Sequence, residues 1–392
     1  MLNNTLNIFQ TWLSRFELFE RNNGIFKTAV WVGISVSLLS IFFYSPHFYF
    51  HYRTNFLTER GADFLRFKEK LFDAKLEETI LYYRFLLPAI AHYLHFNTFF
   101  SFLFPYITGI VSLSFLYVGL RKKIDSKVAL LLVVLISFSY HTTGHRFNGF
   151  ADNVSHLFSS ILLISTNPFL IITSSLLGLL NDERFIVTLP FILLWHYPNL
   201  ILKQNLVKSA IFSFYVFIAL GIYILVRMYV TQRFNIETPV IYNQIKHKLL
   251  IEKKPWKGSW FLFFLNVFMG FRFIWFFVLQ YFLNSKEVIR KFSTLSYVYF
   301  SFFFLMGLAS MLSIGDVSRS TGYLYTCIIV GFLYVYQISS STKIVRTLLY
   351  ILVLLLITPM FMTSDYYGVD SKITIIYTYP LVLDLYRLFT GI

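Results

Sequence analysis

The chain has 392 residues, of which 57% are apolar and only 14% charged, and its net charge is +15. A soluble domain of this length cannot hide so much apolar surface, so lipid is the solvent for most of it. The 34 Lys and Arg stand between apolar runs, a pattern of membrane orientation and not of nucleic-acid binding. A single cysteine, Cys327, leaves no intramolecular disulfide and no Cys-ligated metal site.

The elements follow in chain order. Leu6, Phe9, Leu13 and Phe16 recur at helical spacing with Trp12 beside them, which makes residues 1–26 an amphipathic cytoplasmic segment. It lies either on the membrane surface or docked on the protein. The first apolar run begins near Lys27; it is too long for a signal-peptide core and no small-residue cleavage site follows it. About eleven spans are predicted: Lys27–Pro46, Phe96–Gly119, Lys127–His141, Val154–Thr166, Pro168–Leu180, Arg184–Pro198, Lys208–Tyr229, Gly258–Phe282, Lys291–Ile314, Gly322–Ile338 and Ile344–Phe361. Several are short. A helix of about fourteen residues covers about 21 Å of a roughly 30 Å hydrocarbon core, and such helices persist where protein surrounds them.

Short loops set the orientation. Arg121, Lys122, Lys123 and Lys127 form one basic turn, Lys203 and Lys208 a second, Lys286, Arg290 and Lys291 a third, and Lys343 with Arg346 a fourth. Eleven spans put all four on one side with Arg15, Arg21 and Lys27, and that side is cytoplasmic. The basic loop Val230–Lys257 falls outside against the rule. Its end, Lys253-Lys254-Pro255-Trp256-Lys257, is read either as a headgroup anchor or as a recruiter of an anionic lipid-linked substrate. The first outer loop, residues 47–83, carries an amphipathic stretch from Gly61 to Leu76, expected to lie in the outer interface. Pro88 is expected to break an apolar helix over Tyr83–Leu94. There is no internal repeat. The expected fold is all-α: one polytopic transmembrane helical bundle over residues 1–392.

Ionisable groups near a bilayer are costly, so those at span ends are informative. Four groups fall on the outer side: Asp63; His141, His145, Arg146, Asp152 and His156; Asn181-Asp182-Glu183-Arg184; and Asp316 with Arg319. Each of these outer clusters pairs a carboxylate with an arginine. An Asp serves as a general base when an acceptor hydroxyl comes within hydrogen-bond reach, and Arg grips phosphate oxygens bidentately. The competing reading is simple structural pairing. His141 and His145 have the i, i+4 spacing of helical metal ligands, but no Glu follows His141 and Gly144 interrupts them, so hydrogen-bonding histidines are preferred.

Three segments add a resemblance. Tyr83-Arg84-Phe-Leu-Leu-Pro88 leads into the second span, Asn181-Asp182-Glu183-Arg184-Phe185 has Pro190 after it, and Gly315-Asp316-Val317-Ser318-Arg319 opens a late span. Together with one span, a long outer loop with an early Asp and some ten further spans, they resemble the GT-C superfamily of membrane glycosyltransferases, in its poorly characterised bacterial members. The resemblance covers most of the chain at the level of layout. It implies transfer of a sugar from a polyprenyl-phosphate-linked donor on the outer face of the bacterial inner membrane, in cell-surface glycan assembly. Asp63 matches the family's acidic residue as catalytic base. Arg146, Arg319 and Arg184 would hold the donor phosphate, and Asp152, Asp316, Glu183 and His145 would orient sugar and arginines. Many members carry two neighbouring acidic residues in that loop and this chain does not, so dependence on a divalent cation (Mg or Mn) stays open. The alternatives are a transporter or flippase for a lipid-linked or anionic solute, and a non-catalytic subunit of a surface-polysaccharide system.

Overall fold

The structure, a computed structural model, describes residues 2–44, 60–72, 82–139, 152–234, 259–312, 320–358, 360–364 and 374–378. Every one of the eleven apolar segments contains helix. In chain order the helices are α1 (Leu2–Asn23), α2 (Ile25–Tyr44), α3 (Arg60–Glu69), α4 (Leu86–Tyr93), α5 (Thr98–Arg121), α6 (Ser126–Ser137), α7 (Asp152–Ile164), α8 (Pro168–Asn181) and α9 (Leu189–His196). They continue with α10 (Lys203–Arg233), α11 (Ser259–Phe271), α12 (Phe276–Leu283), α13 (Ser285–Lys291), α14 (Thr294–Leu312), α15 (Tyr325–Ile338) and α16 (Ser341–Ile357). Short 3-10 turns at Glu183–Thr188, Arg272–Trp275 and Gly322–Leu324 lead into α9, α12 and α15. The departure from helix is an antiparallel pair, β1 (Met360–Ser364) and β2 (Thr374–Thr378), with Met360 opposite Thr378. The last apolar segment therefore leaves the helix before Phe361. Thr358 is extended because Pro359 follows it, and a residue before proline avoids the helical region.

The contacts sort the helix ends into two groups. At one end the basic turns cap helix C-termini. Lys122 Nζ donates to the Ile164 carbonyl ending α7, Lys123 Nζ to the Trp195 carbonyl near the end of α9, and Lys291 Nζ to Gln337 O of α15 at 2.6 Å. Cations at helix C-termini meet the negative end of the dipole. Tyr336 OH donates to Asp125 at 2.6 Å, and Lys127 pairs with Glu17 of α1 at 2.9 Å. At the opposite end Ser40 Oγ of α2 donates to Ser137 O of α6 at 2.8 Å, and the starts of α7, α9 and α15 meet through Asp152, Arg184 and Tyr323. The basic turns thus gather at one end of the described helices, and the Asp152, Arg184 and Tyr323 contacts at the other.

Among the described residues three helices are long and apolar enough to cross a bilayer: Thr98–Arg121, Lys203–Arg233 and Thr294–Met311. Val267–Leu283 with Ser285–Lys291 would make a fourth, bent by 69°. Close approach between α2 and α5 depends on Gly33. A Cβ there would lie 2.1 Å from Ser114 Oγ and 2.6 Å from the Ile110 carbonyl. Small residues at helix crossings are how membrane helices gain packing without a hydrophobic driving force.

Two local expectations are corrected. Pro88 does not break its helix. It is the third residue of α4, where the backbone N–H has no partner within the helix anyway, so its absence costs little. The stretch expected as helix from Gly61 to Leu76 ends at Glu69, and Phe72 takes a left-handed φ of 63°; residues 73–76 lie outside the described residues. The apolar face of α3 is turned onto the protein: Phe64 and Phe67 are fully buried. The N-terminal segment is docked as well, with Leu13 and Glu20 buried.

Candidate functional site

At the end opposite the basic turns, five charged side chains from three separate segments come together. Arg84 stands in the turn before α4, Asp182, Glu183 and Arg184 between α8 and α9, and Asp152 at the first position of α7. The helix geometry explains the middle group. Asp182 leaves α8 in an extended conformation (φ −159°, ψ 123°), and its carboxylate accepts from the Arg184 backbone N–H at 2.9 Å, capping the turn that starts α9.

Arg84 grips Glu183 with two bonds, Nε to Oε2 at 3.0 Å and Nη2 to Oε1 at 2.7 Å, and reaches Asp182 at 3.2 Å. Arg184 gives Nε to Asp182 Oδ1 at 2.8 Å and Nη2 to Asp182 Oδ2 at 2.5 Å. The same Nη2 reaches Asp152 at 3.2 Å, and Nη1 donates to Ser320 Oγ at 2.9 Å. Asp182 therefore bridges the two arginines. Tyr323 OH donates to Asp152 Oδ1 at 3.1 Å, and the Arg184 guanidinium lies over the Tyr323 ring at 5.1 Å. Both arginines are 8% exposed and Asp182 is 1% exposed.

Electrostatics favour the charged forms of Glu183 and Arg84. Burial opposes the charge on Glu183, but the Arg84 guanidinium outweighs it and holds the carboxyl down at about 2. Burial also opposes the charge on Arg84, and Asp182 and Glu183 reverse that, raising it above its ordinary value. Three carboxylates face two guanidinium groups here, so this part of the cluster carries a formal charge of −1.

Compared with protein families, with characterised proteins and with solved structures, the chain matches none. The site is therefore read from its own geometry. Of the sequence-derived candidates, Asp152, Glu183 and Arg184 meet in one cluster. Arg184 is placed against carboxylates: each of its guanidinium nitrogens is engaged by Asp182, Asp152 or Ser320, an arrangement that orients acids and does not present an open fork to phosphate. Asp63 is buried on α3 and bonded by Arg66 Nη1 at 3.1 Å. The next residue, Phe64, belongs to one apolar cluster with Leu87, Tyr106 and Val154, the last two positions beyond Asp152. Arg146, Arg319, Asp316 and His145 lie outside the described residues; Ser320, which follows Arg319, is the hydroxyl that holds Arg184. Among the described residues no three His, Cys, Asp or Glu side chains form a metal-binding group.

Two residues were missed by sequence reasoning although a signal existed. Arg84 is the only Asp, Glu, Lys or Arg between Glu78 and Arg121, and Arg272 the only one between Lys257 and Lys286. A lone charge in so long an apolar run has to find partners inside the protein. Arg272 is 1% exposed and takes a left-handed φ of 48°. It donates to Phe138 O at 2.7 Å, where α6 ends, and to Leu355 O and Thr358 O at 3.0 Å each, where α16 ends. One guanidinium thus ties two negative helix termini at the end opposite the basic turns.

Proposed function

We propose that the protein is a multi-pass membrane glycosyltransferase that moves a sugar from a polyprenyl-phosphate-linked donor to an acceptor hydroxyl on the non-cytoplasmic face. All eleven apolar segments would cross or enter the bacterial inner membrane, with the basic end in the cytoplasm. One observation carries the reading: five charged groups from three segments meet at the end away from the basic turns, and Arg84, Asp182 and Arg184 among them are buried. Desolvating that many charges costs more than apolar packing would, and a bundle that only had to fold would be at least as stable without them. Such clusters accompany sites that handle charged or polar ligands.

In this reading Asp63 accepts the proton of the acceptor hydroxyl as its oxygen attacks the anomeric carbon. The bond from that carbon to the donor phosphate oxygen breaks, its electron pair leaves with the lipid phosphate, and configuration inverts. Arg146 and Arg319 stabilise the departing phosphate. Arg184 and Arg84 act through others: they fix Asp152, Asp182 and Glu183, which orient the sugar. The acceptor and the sugar are set by contacts in this pocket.

The test uses purified protein in proteoliposomes with a radiolabelled polyprenyl-phosphate hexose. Wild-type protein releases the lipid phosphate, and Asp63→Asn lowers that release by at least about a hundredfold, the scale of a lost general base. Unchanged release in Asp63→Asn rejects the base assignment. Binding of the donor without cleavage by the wild type rejects sugar transfer in favour of transport. Labelling of single cysteines at Lys203 or Lys343 by an impermeant reagent from the outside rejects the orientation.

A further inference from the structure

The N-terminal helix α1 has two apolar faces, and the protein covers only one. Leu13 and Glu20 are buried, and Phe16 packs edge-on to Tyr117 with ring centroids 6.1 Å apart. Successive residues turn by about 100° around a helix, so Trp12 and Phe19 form a neighbouring stripe. They are 53% and 38% exposed. After Gly24, Ile25, Phe26, Val30 and Trp31 of α2 are exposed as well. Arg15, Arg21 and Lys27 are exposed along the same stretch.

The covered face is fixed by charge. Glu20 accepts from the Tyr117 hydroxyl and, at 2.8 Å, from Arg121 Nη2. Glu17 pairs with Lys127 at 2.9 Å, and that bond holds its carboxyl below the usual range. The arrangement places α1 across the basic turn between α5 and α6. Gly24, at φ 77°, ends the helix in a conformation that suits glycine and lets α2 leave in a new direction.

We propose that α1 is an interfacial arm: its Trp12–Phe19 stripe seats in the anionic cytoplasmic leaflet, while Glu17 and Glu20 latch it to the α5–α6 turn. The occupant is a lipid surface for two reasons. The start of α2, which follows directly, also exposes apolar side chains, and the exposed cations Arg15 and Lys27 match anionic headgroups. The proposal rests on the membrane reading and its orientation, and it stands or falls independently of sugar transfer.

Cys327 is fully buried, so single cysteines can be added and spin-labelled in the otherwise unaltered full-length protein. Labels at Trp12, Phe19 and Ser14 are compared in vesicles of phosphatidylcholine and phosphatidylglycerol. At Trp12 and Phe19, collisions with dissolved oxygen exceed those with a water-soluble nickel chelate, and at Ser14, on the far side of the helix, the order reverses. Chelate dominance at all three positions overturns the proposal. So does dipolar broadening at Trp12 and Phe19 that vanishes on dilution with unlabelled protein, since a second copy would then cover the stripe. In Glu20→Gln the label at Phe19 becomes more mobile; unchanged mobility removes the latch.

Discussion

Replacing Arg184 by Gln tests the charge cluster most directly. The substitution deletes a guanidinium held by Asp182 at 2.5 Å and 2.8 Å, by Asp152 at 3.2 Å and by Ser320 at 2.9 Å. Removing one partner of a buried pair costs about 3–5 kcal/mol, because a carboxylate is left without its counter-charge. Asp182 loses two bonds to the guanidinium and keeps Arg84 at 3.2 Å and the backbone N–H of residue 184, and Arg84 then serves both Asp182 and Glu183. A second substitution, Asp182→Asn, removes one of these two carboxylates and should recover about 1 kcal/mol or more of the loss. The assay is the apparent melting temperature in detergent at a fixed scan rate, read as loss of the monodisperse peak. Arg184→Gln should lower it by roughly 4–6 °C, with Asp182→Asn/Arg184→Gln intermediate. A drop within 1–2 °C (roughly the scale of a surface change), or no rescue by Asp182→Asn, would refute the reasoning.

Three further outcomes are expected. Arg272→Leu should destabilise by about 3 kcal/mol or more, since the carbonyls of Phe138, Leu355 and Thr358 lose a charged donor; Arg272→Lys should recover less than half in the same melting assay, because a single ammonium cannot bridge both helix ends. Gly33→Ala should cost about 2–3 kcal/mol, as its Cβ meets the Ile110 backbone carbonyl at 2.6 Å; a melting temperature equal to wild type would show that α2 can shift freely. Glu183 ionises in the folded protein at about 2 against an ordinary value of 4.5. Its contribution of about 3 kcal/mol is thus fully present above pH 4.5 and lost as pH falls through 2. Melting temperature should fall less steeply between pH 5 and pH 2 in Glu183→Gln than in wild type.

Much of the fold was legible because lipid imposes a blunt rule: long apolar runs become helices, and their ends fall where charge appears. Each expected segment contains helix, and the basic turns gather at one end. Their added role as caps was not legible, because whether Lys122 reaches the end of α7 or Lys123 the end of α9 depends on which helices neighbour each other. Pro88 was misread for a local reason: a proline breaks a helix or opens it according to where the helix begins, and that was decided by the chain entering from Arg84. Arg184 was assigned to phosphate from its place in an outer cluster and from the family resemblance. Beside Asp182, its partners come from positions 152 and 320, and no spacing along the chain announces them.

The sequence by itself determined the helical class and the apolar segments that become helices, because these follow from transfer free energies that act residue by residue. Only the tertiary structure decided that Arg84, Arg184, Asp152, Asp182 and Glu183 share one buried cluster, and that Arg272 closes two helix ends. Charge pairing at a few ångströms depends on packing between segments distant in the chain, and hydrophobic patterning carries no information about that distance.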